Sequence, residues 1–379
     1  MDPEYTKNYH ELKSVFNPAI DEISIPGSDI RIANINFSSD FGKEGFSTVS
    51  DGSICENMSF SYPVFIPPGG TGTKVILLFH GLNERSWEKY LVWAYWLSQN
   101  TGSYVILFPL SFHINRSPGS WIDPRAMMQP LSERRSSYND VKMSSYANLA
   151  LSNRLTKDPM RFFSSGYQTS SDIVKLMSDL RDGNHEIIPG GCTVNIFAYS
   201  IGAFLAQILM IGNPENLFTD SRLFMLCGGS VFSSMRGTSK YIMDSLAFDK
   251  VYNFYLDGFE KEITKETYLS EFTRSSQLGM AFRSMIDFAR FKTFRENILL
   301  KLKEQIRSIA LLRDTVIPAE GILKTLNGFV RNNDKKVEVW DFPYPYTHEN
   351  PFPVFGNNYK GDVDRNFKRL IQEASVFLA

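Results

Sequence analysis

At 379 residues the chain is long enough for one large α/β domain with insertions, or for two ordinary domains. Apolar residues make up 43 % and aromatics 14 %, enough for a sizeable core. A formal net charge of −1, with Lys and Arg spread along the chain, excludes the basic footprint that phosphate-backbone binding needs, so nucleic acid is not an expected partner.

Three cysteines, Cys55, Cys192 and Cys227, are far apart and show no metal-ligand spacing, which reads as free thiols in a reducing compartment. Met1-Asp2-Pro3-Glu4-Tyr5 lacks the charged and apolar regions of a secretory signal. No apolar run approaches the roughly 18–20 residues of a spanning helix. The expectation is a soluble, cytoplasmic protein with no integral membrane segment.

The first 30 residues are polar and irregular, with a short helix predicted around Tyr9–Phe16. Two β-like runs follow, Ile30–Phe37 and Asn57–Ile66, the second ending at the breaker cluster Pro67-Pro68-Gly69-Gly70. Lys74–Phe79 (KVILLF) is a short continuous apolar run, suited to a strand covered on both faces, and it stops at His80-Gly81. Ser86–Asn100 predicts a helix with Ser86 as N-cap and Gly102 as its stop. Tyr104–Leu107 is the next buried strand.

A long polar stretch, 111–165, carries prolines and many Arg and Ser residues and reads as an excursion from the core. Ser170–Arg181 has helical periodicity and leads to a strand at Thr193–Phe197. An apolar helix is predicted at Gly202–Ile211 and a strand at Arg222–Cys227. From 233 to 303 the strand pattern vanishes in favour of several helices rich in Phe, Tyr and Met. Strands resume at Ser308–Leu312 and Lys336–Phe342, with helices near Ala319–Arg331 and Phe367–Leu378.

This alternation predicts a mostly parallel central sheet flanked by helices on both faces. Residues 1–56 form an N-terminal extension with the first strand. Residues 57–232 and 304–379 form the α/β core, and 233–303 is a helical insertion.

The chemistry centres on Ala198-Tyr199-Ser200-Ile201-Gly202. A buried strand runs directly into it and a helix leaves at once. Small residues two before and two after the serine permit a very tight strand-to-helix turn, which strains the serine backbone and lifts its Oγ clear of the sheet. The helix N-terminus then points backbone N–H groups at whatever lies over the serine. Ala198 stands where the G-x-S-x-G pattern has glycine.

The order of elements and this turn resemble the α/β-hydrolase superfamily over roughly Asn57 to Ala379. His80-Gly81-Leu82 resembles that superfamily's oxyanion loop, and the run His80–Trp87 is similar to one found in an uncharacterised bacterial branch. The resemblance implies the chain order Ser, then Asp or Glu, then His. His348, in Tyr344-Pro345-Tyr346-Thr347-His348-Glu349, is the only one of five histidines downstream of Ser200 and is the candidate base.

The acid candidate is Asp314, just past the strand Ser308–Leu312, on the rim where parallel sheets bind ligands. Its surroundings, Asp314-Thr315-Val316-Ile317-Pro318, resemble the superfamily's acid loop. Rivals are Asp257, Asp341 and Glu349. The expected oxyanion donors are the backbone N–H groups of Leu82 and Ile201.

His80 is read as loop support, and His113 as having no direct chemical role. Asn83, Glu84 and Arg85 line the mouth or cap the following helix. By its position the insertion resembles a lid or cap. Phe248, Tyr252, Phe254, Tyr255, Phe259, Phe272, Met280, Phe282, Met285 and Phe288 either line an apolar acyl pocket or pack a core.

The resulting expectation is a serine hydrolase acting on a small-molecule ester with an apolar acyl group, without metal or organic cofactor. Two alternatives stand beside it: amide, peptide or thioester hydrolysis or acyl transfer by the same triad, and a non-catalytic binding protein of this fold.

Overall fold

The computed structural model describes residues 4–41, 51, 54–70, 72–265, 267–326, 336–354 and 357–379. Its centre is a nine-stranded mixed sheet: β1 (Glu22–Ser24), β2 (Arg31–Ser38), β3 (Ser59–Ile66), β4 (Lys74–Phe79), β5 (Tyr104–Leu107), β6 (Thr193–Tyr199), β7 (Leu223–Leu226), β8 (Ile306–Leu311) and β9 (Val337–Trp340). The spatial order is β1-β2-β3-β5-β4-β6-β7-β8-β9. The pairings from β5 to β9 are parallel, and β1, β2 and β3 join through antiparallel pairings at one side.

Continuous apolar runs form the central strands because both faces are covered. Val75, Leu77 and Phe79 of β4 enter one core, whereas Ile76 and Leu78 enter the other. In β6, Val194, Ile196 and Ala198 face the first core, Phe197 and Tyr199 the second. Alternating side chains of a strand point to opposite faces, so a strand covered on both sides is mostly apolar, and the buried exceptions are hydrogen-bonded: Asn195 donates to the Leu378 carbonyl and accepts from the Arg222 N–H, and Ser308 donates to the Gly228 carbonyl.

The first face is packed by helices Met160–Asp182 and Ile201–Gly212 and by the helical segment beyond residue 233. The second is packed by helices Tyr5–Val15, Glu88–Thr101 and Lys360–Leu378. Among the described residues no helix is long and apolar enough to cross a membrane.

Several boundaries differ from expectation for identifiable reasons. The third strand starts at Ser59, because Cys55–Met58 forms a helical turn. There Asn57 donates to Gln168 Oε1 (2.7 Å) and accepts from the Phe112 N–H (3.0 Å), contacts invisible in the local pattern. Ser86 is not the N-cap: the helix begins at Glu88 after Trp87, with no side-chain cap, because Trp87 is buried edge-on against His80. Gly102 ends that helix in the left-handed conformation, as expected (φ 64°). The helix predicted near Ala319–Arg331 is described as Ala319–Leu326, and positions 327–331 lie outside the described residues, as do 42–50, 52 and 53 of the N-terminal extension.

The 111–165 stretch is more regular than its polarity suggests. It contains helices Pro124–Ser137 and Leu149–Lys157 and the start of Met160–Asp182. Three of its six arginines, Arg116, Arg134 and Arg161, are buried. Arg116 is fully buried, donating to Asp172 (2.8 Å), to the carbonyls of Asn57 and Pro109, and to Asn57 Oδ1.

Arg134 makes a bidentate pair with Asp244 (2.6 and 2.8 Å), and Asp244 also caps helix Ser245–Asn253 through the Ala247 N–H. This pair ties the polar stretch to the segment beyond 233. Removing one partner of a buried pair strands the other charge, so Arg134→Met is expected to cost about 3–5 kcal/mol. Urea denaturation of the variant against the parent protein measures it, and a cost under about 1 kcal/mol would show that the pair behaves like a surface bridge.

The segment 233–303 is helical, with helices at Ser245–Asn253, Tyr268–Ser275, Gln277–Ser284 and Lys292–Lys301. Gln277–Ser284 packs closely on helix Ile201–Gly212: a Cβ on Gly212 would lie 2.9 Å from Leu278 Cδ2.

Candidate active site

Ser200 sits at the junction of β6 and helix Ile201–Gly212 with φ 57° and ψ −121°, a left-handed backbone that non-glycine residues adopt only under constraint. The constraint is visible. The Ser200 N–H donates to the Leu226 carbonyl of β7 (3.1 Å), and its carbonyl accepts from Ala203 (3.0 Å). The small residue two positions on is obligatory: a Cβ on Gly202 would lie 2.7 Å from the His80 carbonyl oxygen and 2.8 Å from that of Phe79. Gly202→Ala is therefore expected to destabilise the protein by about 1–3 kcal/mol by overpacking. A thermal melt unchanged from the parent would refute the close approach.

The three chain-distant residues meet here. Ser200 Oγ lies 2.7 Å from His348 Nε2, and His348 Nδ1 lies 2.7 Å from Asp314 Oδ2. All three are buried. The other Asp314 oxygen, Oδ1, accepts from the N–H groups of Val316 (2.8 Å) and Ile317 (2.9 Å), so both oxygens have fixed tasks. With an ionised carboxylate at Nδ1, the imidazole carries its proton there and turns the Nε2 lone pair toward the serine hydroxyl.

The rivals are elsewhere. Asp341 pairs with Arg313 (2.7 Å) just beyond β9. Asp257 lies in the helical segment at Phe254–Gly258, and Glu349 accepts from the Ser239 hydroxyl.

Supporting residues that sequence reading did not single out surround the imidazole. Tyr199, the residue before the serine, donates its hydroxyl to the His348 carbonyl and stacks on the ring with centroids 5.7 Å apart. Lys89 donates to the Glu349 carbonyl (2.9 Å), pairs with Glu84, and stands 4.7 Å above the Tyr199 ring. Tyr199 had one local signal, its place inside the tight turn. Lys89 had none.

Cys227, at the end of β7 with φ 51°, places its Sγ within 4.8 Å of Asp314 and His348 donor atoms. Burial, reinforced by the Asp314 carboxylate, pushes this thiol well up, so it stays protonated. Both imidazole nitrogens of His348 are engaged, Nε2 with Ser200 Oγ and Nδ1 with Asp314 Oδ2.

The loop after β4 is pinned from both sides. His80 donates from Nδ1 to the Gly81 carbonyl (2.8 Å) and accepts at Nε2 from the Leu110 N–H (2.9 Å), the loop-supporting role expected of it. Tyr90 accepts from the Gly81 N–H (3.0 Å) and donates to Glu84 (2.7 Å). Asn83, in the left-handed region at φ 61°, donates to the carbonyls of Ala147 and Tyr241, tying the loop to both long insertions. Among the described residues, the N–H groups of Leu82 and Ile201 donate to no other group.

Burial drives the basicity of His80 well below its ordinary value of 6.5 and that of His113 down to about 4. Both are neutral when folded but protonate readily when unfolded. The unfolded chain thus binds more protons below pH 6.5, and stability is lost as pH falls, through His113 by up to about 1.4 kcal/mol per unit down to about pH 4, with His80 acting in the same direction. A lower Tm at pH 5 than at pH 7 is the expected result, and an equal or higher one would contradict neutral burial.

Two pockets adjoin the loop. One, a largely apolar cavity of about 90 Å³, has Leu82 and Ile201 in its wall together with Leu110, Phe162, Phe204 and Phe282. Of the ten aromatic and Met residues anticipated for an acyl pocket, Phe272 and Phe282 line it. Tyr255, Phe259 and Met285 are buried in the core instead. Most of the lining comes from the 110–170 region, whose polar composition concealed it. The other, a pocket of about 460 Å³ with a mixed polar and apolar lining, includes Leu82, Glu84 and Lys89 together with Thr347 and Glu349, which flank His348 in sequence.

Among solved structures, the chain is similar to carboxyl esterase 2 from the mycorrhizal fungus Tuber melanosporum, with 10 % identity, all of each chain covered and a TM-score of 0.45. It is also similar to an esterase of Pyrobaculum calidifontis, with 12 % identity over 99 % of this chain and 92 % of that one, at a TM-score of 0.43. A cold-adapted esterase from an Arctic intertidal metagenomic library matches at 10 % identity over 93 % and 95 %, with a TM-score of 0.40. No curated protein matches the sequence. A family model does, over residues 35–379, and the chain belongs to the family it describes, the Family of unknown function (DUF6051).

Proposed function

We propose that this protein is a serine hydrolase of the α/β-hydrolase type that cleaves a carboxylic ester with an apolar acyl group. The observation that carries the reading is the buried hydrogen-bonded chain Ser200 Oγ to His348 Nε2 and His348 Nδ1 to Asp314 Oδ2, each link 2.7 Å. In this reading His348 takes the serine proton as Oγ attacks the ester carbonyl, and Asp314 stabilises the imidazolium. The developing oxyanion is received by the N–H groups of Leu82 and Ile201. His348 then protonates the leaving alkoxide, and water, activated by the same imidazole, hydrolyses the acyl-enzyme.

The acyl group occupies the apolar cavity walled by Leu82 and Ile201, and the 233–303 segment, which contributes Phe272, Leu278 and Phe282 to that wall, acts as its cap. The strand order, with β5 and β4 exchanged beside an antiparallel edge, supports the fold assignment. No metal or organic cofactor enters this chemistry.

The test is labelling with a serine-reactive fluorophosphonate and location of the adduct by mass spectrometry, followed by p-nitrophenyl esters from acetate to palmitate. An adduct on Ser200 with ester turnover is the expected result. Folded protein that takes no label at Ser200 would sink the enzyme reading in favour of a binding protein. Labelling with turnover of amides or thioesters alone would replace the ester by those acyl donors.

A further inference from the structure

Between the apolar cavity and the larger mixed pocket lies a smaller void of about 20 Å³. It shares Phe112, His113 and Arg154 with the first, and Glu84 and Arg85 with the second. Its wall collects hydrogen bonds left unmade. Nε2 of His113, Nε of Arg85 and Nε of Arg154 are buried without a hydrogen-bond partner among the described residues, whereas Nη2 of Arg154 faces Asp51 at 3.1 Å and Nη2 of Arg85 donates to the Ile122 carbonyl. Buried polar atoms are nearly always satisfied, so several unmet nitrogens around one void ask for a ligand group.

His113 is only 7 % exposed, and its Nδ1 donates to the Ser111 carbonyl (2.8 Å), which leaves Nε2 with a lone pair. Arg85 pairs with no carboxylate among the described residues, and Arg154 divides Asp51 with Arg161, each at 3.1 Å. Glu84, the acidic group of the wall, is engaged by Lys89 and the Tyr90 hydroxyl. Both guanidinium groups are held over aromatic rings, Arg154 at 3.8 Å from the Phe112 centroid and Arg85 at 5.8 Å from that of Tyr146. Burial depresses both arginines, Arg154 to about 10, a cost that a bound anion would offset.

A group able both to accept from guanidinium N–H donors and to share a proton with an imidazole lone pair is an acidic oxygen group. We propose that this void is a subsite for a carboxyl or phosphate-monoester group carried by the substrate. Arg85 and Arg154 donate to its oxygens, and its proton is shared with Nε2 of His113. The substrate class is thereby narrowed to esters bearing an acidic group. This rests on the ester-hydrolase reading for the word substrate, but the subsite itself can be tested by binding alone.

The experiment titrates the full chain, followed by NMR, with monomethyl glutarate, with its neutral isostere dimethyl glutarate, and with methyl phosphate. Each is repeated on Arg85→Gln and on His113→Phe, with a thermal melt of each variant. We expect an acidic probe to bind more tightly than dimethyl glutarate by on the order of tenfold or more, and Arg85→Gln to erase that difference. Preference for monomethyl glutarate over methyl phosphate assigns a carboxyl group and the reverse a phosphoryl one, and either supports the subsite. Equal binding of the acidic and neutral probes, or a preference that survives in folded Arg85→Gln protein, overturns it and leaves the void to a resident water. The fluorophosphonate result separates the two readings: an acid-selective subsite in protein that takes no label at Ser200 would keep the site and discard the hydrolase.

Discussion

Ser200→Ala is expected to lower kcat/KM toward p-nitrophenyl esters by about four to six orders of magnitude with little change in Tm. The substitution deletes one oxygen at a position whose backbone is held by Leu226 and Ala203 through main-chain bonds, so the turn should survive. His348 keeps its hydrogen bond to Asp314, but nothing remains to attack the ester. In the proposed mechanism nucleophile and base act as one unit, so the Ser200→Ala, His348→Ala double variant should be scarcely slower than either single one. Steady-state kinetics on all three settles the matter. Residual activity within about tenfold of the parent would remove Ser200 from the chemistry.

The second large effect is expected at Asp314. Asp314→Asn is isosteric, and its single acceptor oxygen will remain with the N–H groups of Val316 and Ile317, which now bind Oδ1. The amide NH₂ is then forced toward His348 Nδ1, now as a donor. The imidazole must answer with the other tautomer, placing its proton on Nε2 where the serine needs a lone pair. A fall of about 10⁴ in kcat follows from that wrong tautomer, with KM changing far less. Asp341→Asn and Glu349→Gln serve as controls. Asp341 is occupied by Arg313 and Tyr346, and Glu349 by Ser239, so neither should lower kcat comparably. A loss larger in either control than in Asp314→Asn would move the orienting role to that residue.

Much of the frame could be read in the chain. KVILLF and the run into Tyr199 announced strands covered on both faces, because a strand buried twice favours apolar residues at nearly every position, and a buried polar one such as Asn195 must find hydrogen-bond partners. The turn at Ser200 was legible from its small neighbours, since only glycine tolerates the 2.7 Å approach of the His80 carbonyl at position 202.

Other features had no local sign. The polar composition of 111–165 suggested a solvated excursion, yet Arg116 and Arg134 are buried because Asp172 and Asp244, far along the chain, neutralise them. Extended to residues 110 and 170, the same stretch supplies most of the apolar cavity, a role expected of the aromatic residues beyond 233. Tyr199, Lys89 and Tyr90 hold the loops around His348 and Gly81 through single bonds to backbone atoms, and such contacts impose no periodicity on sequence.

What the sequence determined by itself was therefore the order of strands and helices, the tight turn at Ser200, and the residue types available for proton transfer. Periodicity and steric size are local properties, written in neighbouring residues. Tertiary structure alone decided that Asp314 and not Asp341 or Glu349 stands at His348 Nδ1, and which aromatic residues line a cavity and which fill a core. It also decided that Arg85, Arg154 and His113 surround one small void. Those outcomes depend on distances between segments dozens to hundreds of residues apart, set by how helices close over the sheet.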